Sequence, residues 1–212
     1  MTNPRIYVAC LASYNNGVLF GKWIDASADA SEMSAEVNEM LAASRFPNVM
    51  RQKFTDDEGE TRYCDASTPA PDDWTPIGKP FPSAEEFAIH DHEGLGDIGE
   101  YTGLDEIARR VAILEIADER DIPGAVLIEA MRDMLAADDG DAESFIDDRF
   151  EGVADSWKDF VQERADDCFD MSAVPAWLEH HIDWDSLARD WQLGGDWSTY
   201  SDGGQLYFFR TH

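Results

Sequence analysis

The chain has 212 residues and 43% hydrophobic content, including 7 Trp, 11 Phe and 6 Tyr, enough apolar material for a folded core despite its charge. Its formal net charge is −29, from 45 acidic against 16 basic side chains. Such a surface repels nucleic acid and calls for a basic partner or a metal ion.

No apolar run approaches the roughly 20 residues needed to span a bilayer. The start MTNPRIYVAC lacks the basic head and long apolar stretch of a signal peptide, so the expected location is the cytoplasm. Cys10, Cys64 and Cys168 are odd in number and form no Cys-x-x-Cys pair, which argues against a disulfide framework or a thiolate zinc site.

In chain order, Arg5 to Ser13 and Val18 to Ile24 read as a hairpin turning at Asn15-Asn16-Gly17. Met33, Val37, Met40 and Leu41 recur at helical spacing within 27–45, and Pro47 discourages continuation. From 55 to 82 five prolines and many polar residues predict an excursion with little regular structure. Phe87 to His90 reads as a strand returning to the first sheet. Thr102 is the expected N-cap of the next helix, with Asp105 as its capping-box acid and an apolar stripe of Leu104, Ile107, Ala108, Val111 and Leu114. Pro123 opens a second helix with Val126, Leu127, Ala130, Met131, Met134 and Leu135 inward, and Ser144 to Arg149 form a short third. Ser156 to Ala165, Pro175 to His181 and Trp184 to Trp191 are further helices. Trp197 to Ser201 and Gln205 to Arg210 form a terminal hairpin around Gly203-Gly204. The elements describe an α+β chain: a mixed N-terminal domain over 1–103, a helical domain over 104–150 and a mixed C-terminal domain over 151–212.

Catalytic signals are sparse. His90-Asp91-His92-Glu93 places alternate histidines that one strand face would share around a metal, against the simpler reading of a polar strand end, and no third ligand stands at a characteristic distance. His180-His181 are neighbours that do not face the same way on a helix. The run Asp138 to Glu143 has its glycine misplaced for a calcium loop. No nucleophile elbow, phosphate loop or dinucleotide fingerprint occurs. These residues call for no catalytic group, metal or cofactor, with a metal-dependent enzyme built on residues 90–93 as the alternative.

What stands out is where the acids fall. Residues 1–90 carry 14 acids and 7 bases, net −7, and residues 91–212 carry 31 acids and 9 bases, net −22. Asp105, Glu106, Glu115, Asp118, Glu119, Asp121, Glu129, Asp133, Asp138, Asp139, Asp141, Glu143, Asp147 and Asp148 crowd the central helices and their connections, few with a cation three or four residues away. Acids on one helix face stand about 5–6 Å apart, a spacing of the order of that between successive phosphates, so the surface would meet basic residues much as a DNA backbone does. A solvated face is the simpler account of any single helix. Salt adaptation, with another partner or none, is the alternative for the whole, although it would spread its 28 Asp and 17 Glu evenly.

Pro4 to Gly17 and Gly21-Lys22-Trp23-Ile24-Asp25 resemble the start of the ArdA antirestriction proteins. Ala88 to Gly94, Ile98 to Tyr101 and Ile182 to Asp190 are similar to later segments of that family, in the same order. The resemblance implies three small domains in an elongated, curved homodimer shaped and charged like bent B-form DNA. It implies inhibition of type I restriction-modification enzymes through the DNA groove of their methyltransferase core; the charge and the lack of a long apolar run lead us to expect no nucleic-acid or membrane partner. The segment similar to the family's antirestriction motif, around Val174 to Leu187, makes Trp177, Leu178, Ile182 and Trp184 dimer-interface candidates; burial in the core is their other reading.

Overall fold

The computed structural model describes residues 3–69, 72–135, 141–168 and 171–212. Three three-stranded antiparallel sheets carry helices, a mixed α+β architecture. The chain divides into two compact units, Met1–Ala112 and Ile113–His212.

In the first unit, β1 (Arg5–Cys10) lies between β2 (Gly21–Asp25) and β6 (Phe87–Glu93), both antiparallel to it. The return of residues 87–90 to the first sheet agrees with the sequence reading. The tight turn expected at 15–17 is corrected: β1 stops at Cys10 and a helical turn, α1 (Leu11–Asn15), makes the connection. Cys10 Sγ accepts the Ser13 N–H, Asn16 Nδ2 donates to the Ala12 carbonyl, and Gly17 takes φ 75°. These local bonds compete with the strand ladder and win. The thiol of Cys10 is pushed up by burial, and its hydrogen bonds with Ser13 and Ser44 more than reverse this, leaving it below its ordinary range. α2 (Ala30–Ala42) is capped by the Asp29 carboxylate on Ser31 N–H and buries Met33, Val37, Met40 and Leu41, the predicted stripe.

The predicted excursion at 55–82 is also corrected. β3 (Val49–Thr55), β4 (Thr61–Asp65) and β5 (Thr75–Ser83) form a second sheet in the order β4-β3-β5. The prolines fit because of where they point. Ala66 N–H donates to the Met50 carbonyl, so by antiparallel alternation residues 50, 52 and 54 turn their backbone toward β4, and 51, 53 and 55 toward β5. Pro76 and Pro82 oppose Phe54 and Met50, positions at which β5 makes no ladder bond. Their missing N–H groups therefore cost nothing on this edge strand.

α3 (Leu104–Glu119) starts one residue later than expected. The Gly103 carbonyl accepts from Ile107 N–H and holds the cap position, while the Thr102 hydroxyl accepts from Gly99 N–H in the preceding turn. Ile107, Ala108 and Val111 are buried as predicted.

In the second unit, α4 (Gly124–Leu135) and α5 (Ala142–Arg149) lead to β7 (Phe150–Ala154). Next come α6 (Trp157–Cys168), a 3-10 turn at Met171–Ala173, α7 (Ala176–Glu179) and α8 (Trp184–Gly194). The chain closes on the predicted hairpin of β8 (Trp197–Asp202) and β9 (Gln205–Arg210), with Gly203 at φ 58° and Gly204 at φ 89°, the positive values a two-residue turn of this hand requires. β9 is the central strand of the order β7-β9-β8 and is covered on both faces. Tyr207 and Phe209 share a core with Ile113, Ala117, Leu127, Ala130, Phe145 and Ile146. Phe208 packs with Phe160, Val161 and Ala188 on the other side, its ring stacked 3.8 Å from that of Phe160. A strand buried on both faces has no polar alternation to show, and Leu206 to Phe209 have none.

The acidic surface as candidate functional site

Of the fourteen carboxylates singled out, Asp138 and Asp139 lie outside the described residues. Eleven of the other twelve are exposed; Glu106 is half-buried, held below the usual carboxylate range by hydrogen bonds from Arg109, with Arg110 as a second donor. Asp105 and Glu106 belong to the first unit and the remainder to the second. The second unit carries 25 acids and 7 bases, net −18, and the first 20 acids and 9 bases, net −11.

Two cations of the second unit pair with three of these carboxylates, and three others are committed elsewhere. Arg120 pairs with Asp147 at 2.9 Å, and Arg132 lies between Glu129 at 3.6 Å and Asp133 at 3.1 Å. Arg149 donates to the carbonyls of Arg210 and Thr211. Arg164 and Arg210 both close on Glu151, whose side chain is only 12% exposed. Glu115, Asp118, Glu119, Asp121, Glu143 and Asp148 are left exposed with no ion pair among the described residues.

Four of them, Glu115, Asp118, Glu119 and Asp121, stand where they work against helix stability. Glu115, Asp118 and Glu119 stand at i, i+3 and i+4 on α3, and like charges at this spacing destabilise a helix by about 0.2–0.5 kcal/mol per pair. Asp118 and Glu119 fall in the last turn, where no basic residue stands and the helix dipole disfavours an acid. Asp121 follows at φ 55° in the left-handed position that closes α3, a site at which glycine is the unstrained residue. Asp141, by contrast, supports the fold. It caps α5 by accepting from Ser144 N–H and hydroxyl, which holds its carboxyl below the ordinary range.

The four interface candidates separate. Trp177 is 69% and Leu178 43% exposed, whereas Trp184 packs against the Phe160 and Phe208 core. Ile182 is half-buried. The exposed pair could not be told from core by hydrophobicity alone.

The His90 region does not gather ligands. A register shift leaves His90 without a partner on β1, between Asp91 opposite Tyr7 and Ile89 opposite Val8, and breaks the alternation a shared histidine face needs. His90 meets Glu100 at 3.6 Å and the edge of Tyr14, and Glu93 is held bidentately by Arg5. Among the described residues no group of three or more His, Cys, Asp or Glu side chains stands close enough to hold a metal ion. Nor is any described helix long and apolar enough to cross a membrane.

An α+β chain in which Glu115, Asp118, Glu119 and Asp121 are exposed, without an ion pair among the described residues and costly to their own helix is what the comparison with known families meets. Residues 6–205 match the family described as antirestriction protein (ArdA), and the chain belongs to this family. Membership implies an antirestriction function and interaction with restriction enzymes. No curated protein matches the chain.

Proposed function

We propose that the protein is a DNA mimic that blocks type I restriction-modification enzymes by occupying the DNA groove of their methyltransferase core. The observation that carries this reading is the set of exposed, unpaired carboxylates placed where they oppose helix stability, at Glu115, Asp118, Glu119 and Asp121. A groove built to neutralise phosphates gains affinity from counterion release, and an acidic protein surface draws on the same effect without carrying sequence information. The mimic surface comprises the fourteen carboxylates, Asp105 to Asp148. The protein acts as a homodimer through Trp177 and Leu178, of which the exposure is the supporting feature. Domains at 1–103, 104–150 and 151–212 belong to the same reading, the last two joined by the core that β9 shares with α4 and α5.

The test is competition with duplex DNA for a type I methyltransferase core at two or more salt concentrations, with folding followed by circular dichroism. Inhibition should be stoichiometric, unaffected by chelator, and weaken steeply with salt. A folded protein that leaves DNA binding unchanged removes the mimic reading.

A further inference from the structure

The two edges of the second sheet are built differently. β5 is blunted by Pro76, Pro80 and Pro82, but β4, with the sequence Thr61-Arg62-Tyr63-Cys64-Asp65, carries no proline. Because Arg62 and Cys64 turn their backbone groups toward β3, Thr61 and Tyr63 turn theirs outward. A cleft of about 580 Å³ follows this edge. It is lined by every residue from Glu60 to Cys64 and so runs along β4, the strand at this edge. It is lined as well by the start of α2, from Asp29 to Ser34, and by Asp105. Three carboxylates thus face one cation, Arg62, which is already drawn to Glu60 and stacked over Trp74 at 4.8 Å.

We propose that this cleft accepts an extended segment bearing lysine or arginine, added as a fourth strand along β4 and supplied by the restriction enzyme; that last assignment rests on the function proposed above. Outward N–H and C=O groups of Thr61 and Tyr63 give the backbone pairing, and Glu60 and Asp105 select basic side chains.

The probe is a capped ten-residue peptide of alternating lysine and threonine, with a twin N-methylated at every residue. The full-length protein should bind the first, lose at least tenfold affinity for the twin, and show its half-buried Cys64 thiol shielded from alkylation in a Cys168→Ser background. Thr61→Pro removes an outward N–H and no ladder bond, and should weaken the peptide at least tenfold. Equal affinity for the two peptides, or full affinity in a folded Thr61→Pro, overturns the proposal; if that variant does not fold, the peptide pair decides. Thr61→Pro keeps every carboxylate of the mimic surface. If it competes with DNA as well as the wild type does, the enzyme does not supply the segment and the mimic reading stands; if the wild type itself fails to compete, the mimic reading falls and the peptide titration still decides the cleft.

Discussion

The Ile122 N–H donates to the Ala117 carbonyl at 2.9 Å, closing α3 in a turn that buries Ile122 and forces Asp121 to φ 55°. The paired bond from Asp121 N–H to the Asp118 carbonyl completes the motif, in which the left-handed residue is ordinarily glycine. Asp121→Gly should therefore raise stability by about 1 kcal/mol, read as a small increase in melting temperature. The same variant should inhibit the enzyme no better than wild type. A loss of stability would mean that the Asp121 carboxylate is structural.

Single neutralisations on this surface should be nearly silent. An exposed charge contact is worth about 0–1 kcal/mol, so Asp118→Asn should shift DNA competition less than about fivefold. Neutralising Glu115, Asp118, Glu119, Asp121, Glu143 and Asp148 together should weaken competition strongly and flatten its salt dependence while raising thermal stability, because like-charge repulsion on α3 is relieved. Abolition by Asp118→Asn alone, in a folded protein, would end the distributed account.

The aromatic candidates should divide by phenotype. Trp177→Ala combined with Leu178→Ala removes exposed apolar surface, and sedimentation should show a weaker dimer with little change in melting temperature. Trp184→Ala opens the core beside Phe160 and Phe208 and should cost about 3 kcal/mol of stability. Equal destabilisation by both changes would place Trp177 and Leu178 in the fold rather than at an interface.

Acid should expose the helix caps. Asp183 accepts from Ser186 N–H at 3.0 Å and from its hydroxyl at 2.8 Å, which hold its carboxyl below the ordinary range. A lowered folded-state value means that the carboxylate contributes stability above its unfolded pKa of about 3.9, lost as pH falls through the lower, folded value. Asp183→Asn keeps a capping oxygen and cannot titrate. Denaturation measured from pH 7 to 2 should show a constant difference between wild type and variant down to about pH 4, then a change in the variant's favour. A difference independent of pH throughout would show that the cap does not stabilise the ionised form.

The helical stripes of α2 and α3 and the terminal hairpin were legible in the sequence because their signals are local: apolar side chains at a 3.6-residue period, and Gly203-Gly204 where positive φ is required. So was the acidic excess, which no folding can change. Other features depended on partners distant in the chain. Pro76 and Pro82 read as breakers until β3 lay beside them and their nitrogens faced away from it. Leu206 to Phe209 showed no alternation because helices cover both faces of β9. Trp177 and Trp184 are equally apolar in sequence, and only packing set one in solvent and the other against the core cluster that contains Phe208. Periodicity reports which surface an element must hide, but which surface is hidden is set by contacts between segments far apart in the chain, and there the tertiary structure decided.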